Sequence, residues 1–95
     1  MKIFNLEQQT PSEIAQELAL NLRKRRKEHK FSQQELAKRS GVSLGSLKRF
    51  ENQHEISLTS LIKIAIALDC EDDFATLFTR KHYRSIQEVI DEQNH

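Results

Sequence analysis

Within residues 43–49 the chain places two hydroxyls (Ser43, Ser46), two cations (Lys48, Arg49), a leucine and a glycine on one short stretch. If the stretch is helical, Leu47 and Phe50 form its inner face and the others are left on or near the outside. Outward donors of this kind suit an array of fixed acceptors such as base edges. Arg49 offers paired N–H groups to the two major-groove acceptors of guanine, Leu44 offers a methyl surface to thymine, and Ser43, Ser46 and Lys48 offer single hydrogen bonds. Gly45 permits close approach while costing about 1 kcal/mol of helix stability against alanine. A short basic helix of this composition can enter a DNA major groove.

A second group of candidates lies ten residues upstream, at Ser32, Gln33 and Gln34. A helix N-terminus carries orphan amides and partial positive charge, so these residues are expected to grip a phosphate and set register. Asn52, after the outward stretch, is a further polar candidate for the nucleic-acid face. The elements that must hold both groups are legible in the pattern. Ser32 is placed to cap a helix, with Glu35 three residues on to complete a reciprocal capping box. That helix buries Leu36 and Ala37. Gly41 supplies the positive φ of a sharp interhelical turn, Val42 plugs the space behind it, and Ser43 caps the next helix.

The string QQELAKRSGVS followed by LxxxE resembles the helix-turn-helix of Cro and phage-repressor (XRE-like) regulators. The resemblance takes in Leu22, Arg23 and Arg26 before it and LTSLIKIAIAL after it, so it spans roughly residues 20–78. It implies an all-α, five-helix, lambda-repressor-like DNA-binding domain, here with an extended first helix and an additional C-terminal helix. It implies a dimer reading an inverted-repeat operator in double-stranded DNA, with half-sites about one helical turn, or 34 Å, apart. It also implies that Arg26 pairs with Glu51, tying the first helix to the third. The loop after Asn52 departs from the family, because Gln53, His54 and Glu55 stand where phosphate-binding bases are usual. The run SLGSLKRFENQHEISLTSLIKIAIALDCEDDF further resembles small regulators that accompany HipA-like kinase toxins. In those systems the regulator is also the antitoxin, so a protein-interaction role with DNA reading secondary or lost is the alternative.

The remaining elements follow in chain order. Ile3, Phe4 and Leu6 in residues 1–10 form too short a run to assign, and fit either a short strand or an N-terminal arm that orders only against a partner. Thr10, Pro11 and Glu13 start the first helix, which should run to about His29 with Ile14, Ala15, Leu18, Ala19 and Leu22 as its buried stripe. Ser57 caps the fourth helix, whose core stripe is Leu58, Leu61, Ile62, Ala65 and Leu68, with Ile64 and Ile66 widening the apolar surface. Asp69–Asp73 opens a fifth helix bearing Phe74, Leu77 and Phe78. Residues 79–95 form an extension in which Ser85 and Glu88 open a last helix carrying Ile86, Val89 and Ile90. Ile66 is exposed in this scheme, and the C-terminal segment with Tyr83, Ile86, Val89 and Ile90, or its copy from a second chain, is expected to pack over it and contribute to a two-fold dimer. The reading is therefore one domain over residues 1–95, with its core at about 12–78.

The 95 residues hold 15 bases and 14 acids, for a net charge of +1. That total conceals a division. Residues 20–50 contain ten Lys or Arg against Glu28 and Glu35, a balance of +8, and the rest of the chain is −7. A basic block of this size is the electrostatic footprint of a nucleic-acid face. The single Cys70 excludes an internal disulfide and a Cys-rich zinc site, and is expected in the core. His29, His54, His82 and His95 lack metal-site spacing. No nucleophile with its base, and no glycine-rich phosphate loop, can be assembled, so neither enzyme activity, metal, cofactor nor small-molecule ligand is expected. No apolar run is long enough for a membrane span and no secretory segment follows Met1, which points to the cytoplasm.

Overall fold

A computed structural model describes residues 9–81 and 93 of the chain. Among them are five helices and no strand: α1 (Pro11–Glu28), α2 (Gln33–Ser40), α3 (Leu44–Gln53), α4 (Leu58–Ala67) and α5 (Asp72–Ala75). Each of the first four is started by a hydroxyl. The Thr10, Ser32, Ser43 and Ser57 oxygens accept from the amide three residues on, each satisfying one orphan donor. At Thr10 the reciprocal bond is also made, since its backbone N–H donates to Glu13 Oε1 at 2.9 Å. That bond, followed by the one involving the Thr10 side chain, holds the Glu13 carboxyl below its ordinary value. At Ser32 only the forward half of the expected box forms, because the Glu35 carboxylate turns along α2 to Arg39 at 2.8 Å.

The core forms where α2 packs against both α3 and α4, with α1 lying against α3. One buried cluster is Leu36, Val42, Leu47, Ile64 and Leu68; a second is Ala19, Phe50 and Leu61. Leu22 and Ile56 touch both clusters and join them. Burial of each large side chain contributes roughly 1.5–3 kcal/mol, so these few residues dominate cohesion. Gly41 ends α2 at φ 75°, the left-handed conformation expected of it, and its N–H bonds to Ala37 O. Cys70 packs at the edge of the first cluster; burial pushes its thiol up, Arg25 opposes this, and Asp73, Glu71 and Asp69 reinforce it.

Several expectations need correction. Of the α1 stripe only Ala19 is buried; Ile14 and Leu18 are about half exposed. They wall an open apolar groove of about 350 Å³ whose other side is Leu61, Ala65, Leu68, Phe74 and Leu77. On α4, Leu61, Ile64, Ala65 and Leu68 are buried, but Leu58 is exposed and so is Ile66, at 53%. The fifth helix stops at Ala75: Glu71 gives it no side-chain cap, and Phe78 lies beyond its end at φ 63°, 99% exposed. The strand or arm expected at residues 1–8, the helix with Ile86, Val89 and Ile90, Tyr83, and the proposed cover for Ile66 lie outside the described residues.

Candidate nucleic-acid interface

The outward face of α3 is held from beneath by an ion pair and a core contact. Leu47 and Phe50 bury the inner side of α3. Beside them Arg26 reaches from α1 to Glu51, Nε to Oε2 at 2.9 Å and Nη2 to Oε1 at 3.0 Å. This bidentate pair is enclosed, with side-chain exposures of 9% and 3%. Arg26 Nη1 also donates to Phe31 O at 2.9 Å, and the Gln33 amide donates to Glu51 Oε1 at 3.0 Å. One carboxylate therefore locks α1, the α1–α2 connection, α2 and α3 together.

Above this support the structure sorts the sequence candidates. Gly45, Lys48, Arg49 and Asn52 are exposed, while Leu44 and Ser46 are half-buried. Ser43 is exposed, and its hydroxyl donates to Ser46 Oγ at 2.8 Å while accepting from the Ser46 amide. The two serines thus begin as partners of each other. At the start of α2, Ser32 and Gln34 are exposed, but Gln33 is half-buried with its amide committed to Glu51. Sequence reading placed the Gln33 side chain toward a phosphate; here its amide is given to the buried Glu51 carboxylate.

Arg49 has a partner that spacing did not announce. Its Nη2 meets Glu55 Oε1 at 2.5 Å, with the two side chains 61% and 66% exposed. The cause is local. His54 ends α3 at φ 67°, its N–H bonding back to Arg49 O and Phe50 O, and this left-handed turn returns the chain so that Glu55 stands beside Arg49. The pair borders an open depression of about 400 Å³ lined by Ser46, Ile56, Ser57 and Ser60. The signal for it was the opposite charge six residues on, across a helix end. A second unpredicted cluster lies beside α2, where Phe31 stacks on His29 at 5.3 Å and lies under the Arg39 guanidinium at 4.5 Å. His29 is also bonded to Leu68 O at 3.1 Å, so it is a structural rather than a surface histidine.

Of the ten bases in the block, Arg25, Arg26, Arg39 and Arg49 are in ion pairs. Arg23, Lys24, Lys27, Lys30, Lys38 and Lys48 make none among the described residues, and all six are exposed. The arginines fix structure and orientation, and the lysines with Arg23 leave an unneutralised field. Among the described residues there is no group of three or more His, Cys, Asp or Glu able to hold a metal, and no helix long and apolar enough to cross a membrane.

Gly45 tests whether this face is approached closely. A Cβ built there meets nothing within 4 Å, so the protein itself does not require glycine. Gly45→Ala should raise stability by up to about 1 kcal/mol. It should lower DNA affinity if a base edge or phosphate occupies that space. A thermal melt and a fluorescence-anisotropy titration would show the two quantities moving in opposite directions; a rise in both would place DNA elsewhere.

No curated protein and no solved structure matches the chain. A family model described as helix-turn-helix matches residues 22–74, from the last two turns of α1 through Phe74 in α5. The α2–turn–α3 unit, its buried Arg26–Glu51 support and the exposed basic face all lie within the matched span. The chain belongs to the Cro/C1-type helix-turn-helix family of DNA-binding transcription regulators.

Proposed function

We propose that the protein is a sequence-specific repressor that binds an inverted-repeat operator as a homodimer, regulates its own expression and acts in the cytoplasm without enzymatic activity. Residues 12–78 are the DNA-binding unit in this reading. The exposed face of α3 carries it: Gly45, Lys48, Arg49 and Asn52 stand clear of the body on a helix whose opposite side is locked by Leu47, Phe50 and Glu51. Rigid support matters because base reading needs donors fixed in register, and phosphate contacts alone carry no sequence information. Arg49 pairs with guanine, Leu44 meets a thymine methyl, and Ser43, Ser46 and Lys48 supply further base-edge contacts. Ser32, Gln34, the α2 amides and Asn52 hold phosphate, with Gln33 contributing there only as far as its bond to Glu51 allows.

The test is selection of bound duplexes from a random pool, followed by titration against salt. A defined half-site repeated with inverted symmetry at about one helical turn is expected, together with a fall of affinity with salt that reflects several phosphate contacts. Equal affinity for the selected and scrambled duplexes would remove the sequence-reading role. The observation that favours a second reading is the first turn of α3, where Leu44 and Gly45 carry no hydrogen-bonding side chain. In that reading the protein neutralises a HipA-like kinase toxin. Stoichiometric kinase binding, unaffected by DNA and accompanied by no sequence preference, would establish it instead.

A further inference from the structure

We propose that Glu55 is a positioning residue for base reading: it orients the Arg49 guanidinium so that one complete two-donor edge faces the DNA. The inference rests on the reading of α3 as the recognition helix, and goes beyond it by assigning a role to an acidic residue at a place where acid should repel DNA.

The geometry decides what the pair leaves available. A guanidinium has five N–H donors arranged as two edges, Nε with one hydrogen of Nη2, and Nη1 with the other hydrogen of Nη2. Glu55 meets Arg49 through Nη2 and a single carboxylate oxygen, Oε1. One hydrogen of Nη2 is thereby used, so whichever edge it belongs to, the other edge keeps both of its donors. Neither Nε nor Nη1 of Arg49 has a protein partner among the described residues. The remaining edge matches the O6 and N7 acceptors of guanine. Arg26 is used differently: it gives its Nε–Nη2 edge to Glu51 and an Nη1 hydrogen to Phe31 O, and at 9% side-chain exposure it is closed off from any outside acceptor, whereas Arg49 is exposed.

Simple competition for Arg49 would be a different role with a different signature. A carboxylate that merely captured the guanidinium would have to be displaced by any DNA, and removing it would strengthen operator and random binding together. An orienting carboxylate stays in place when guanine binds and spares the complex the cost of ordering a long side chain. That ordering is worth about 2- to 12-fold in affinity. It also keeps Arg49 from swinging to a phosphate, which would add affinity without selectivity. The turn at His54 is what fixes Glu55 in this position, because the left-handed residue redirects the chain at the end of α3.

The experiment uses the full chain, with the duplex obtained by selection and a scrambled duplex at matched salt. Glu55→Ala should lower operator affinity by about 2- to 12-fold, leave scrambled-duplex affinity unchanged or raised, and relax preference at the same base pair as Arg49→Ala. Glu55→Gln retains an oxygen that can accept from Nη2 and should restore part of the loss. In an Arg49→Ala background, Glu55→Ala should no longer lower operator affinity. Both variants should melt with the wild type, since the pair is exposed. Equal strengthening on both duplexes, or a loss that persists without Arg49, would overturn the proposal. If the wild-type protein selects no duplex at all, it is the recognition-helix reading that has failed, and the role assigned to Glu55 falls with it.

Discussion

Glu51→Ala should lower the unfolding free energy by about 3–5 kcal/mol, the range found when one side of a buried ion pair is removed. The partner left behind is the reason. Arg26 is only 9% exposed at its side chain, and without Glu51 it keeps a single protein acceptor, Phe31 O. The Gln33 amide loses its acceptor at the same time. Total stability for a domain is about 5–15 kcal/mol, so the loss is a large fraction of it. A change of 1 kcal/mol moves the melting temperature of a chain this size by about 4–8 °C, so a fall of more than 10 °C is expected. Urea unfolding of both proteins would measure the difference directly. A variant melting within a degree or two of wild type would mean that the pair is not what holds α3 against α1.

Arg49→Ala should cost about 1–3 kcal/mol on the operator and relax preference at one base position in each half-site, while changing affinity for random DNA much less. The contrast is with a phosphate contact. Gln34→Ala, at the exposed start of α2, should weaken operator and random duplexes alike. Gln33→Ala was the natural choice from sequence, but its bond to Glu51 makes its effect a mixture of lost contact and loosened support. Anisotropy titrations of both duplexes at one salt concentration separate the cases. An equal loss on both for Arg49→Ala would reassign Arg49 to the backbone and remove base reading from this face.

Most of the frame that presents α3 was legible because its determinants are local. Thr10, Ser32, Ser43 and Ser57 announce helix starts through bonds spanning three residues, and Gly41 announces a turn through its own φ. The Arg26–Glu51 pair is long-range and came only through the family resemblance. What spacing could not reveal was competition between acceptors. Glu35 was a capping-box partner by position, yet Arg39 one turn on draws its carboxylate away. Gln33 was a phosphate ligand by position, yet its amide is given to the buried Glu51 carboxylate. Arg49 and Glu55 meet across the turn at His54, a non-glycine residue in the left-handed conformation that spacing alone did not announce. The stripe on α1 failed for another reason: periodicity marks one face as apolar without saying how far along the helix a neighbour extends. Ile14 and Leu18 continue the rhythm of Ala19 and Leu22, but they line an open groove rather than a closed core.

The separation between the buried carboxylate of Glu51 and the outer residues of α3 has a consequence for how such a chain changes over time. Arg26, Gln33 and Glu51 constrain one another, so a substitution at any one of them is felt at the other two. Gly45, Lys48 and Arg49 are exposed on the same helix and make no hydrogen bond or ion pair to that trio among the described residues. If the outer positions read bases as proposed, variation there alters what is recognised while leaving the mounting intact, and target preference can drift by single substitutions through proteins that all remain folded. The exception is position 49, where a new residue must also suit Glu55. Innovation at that site should come in pairs.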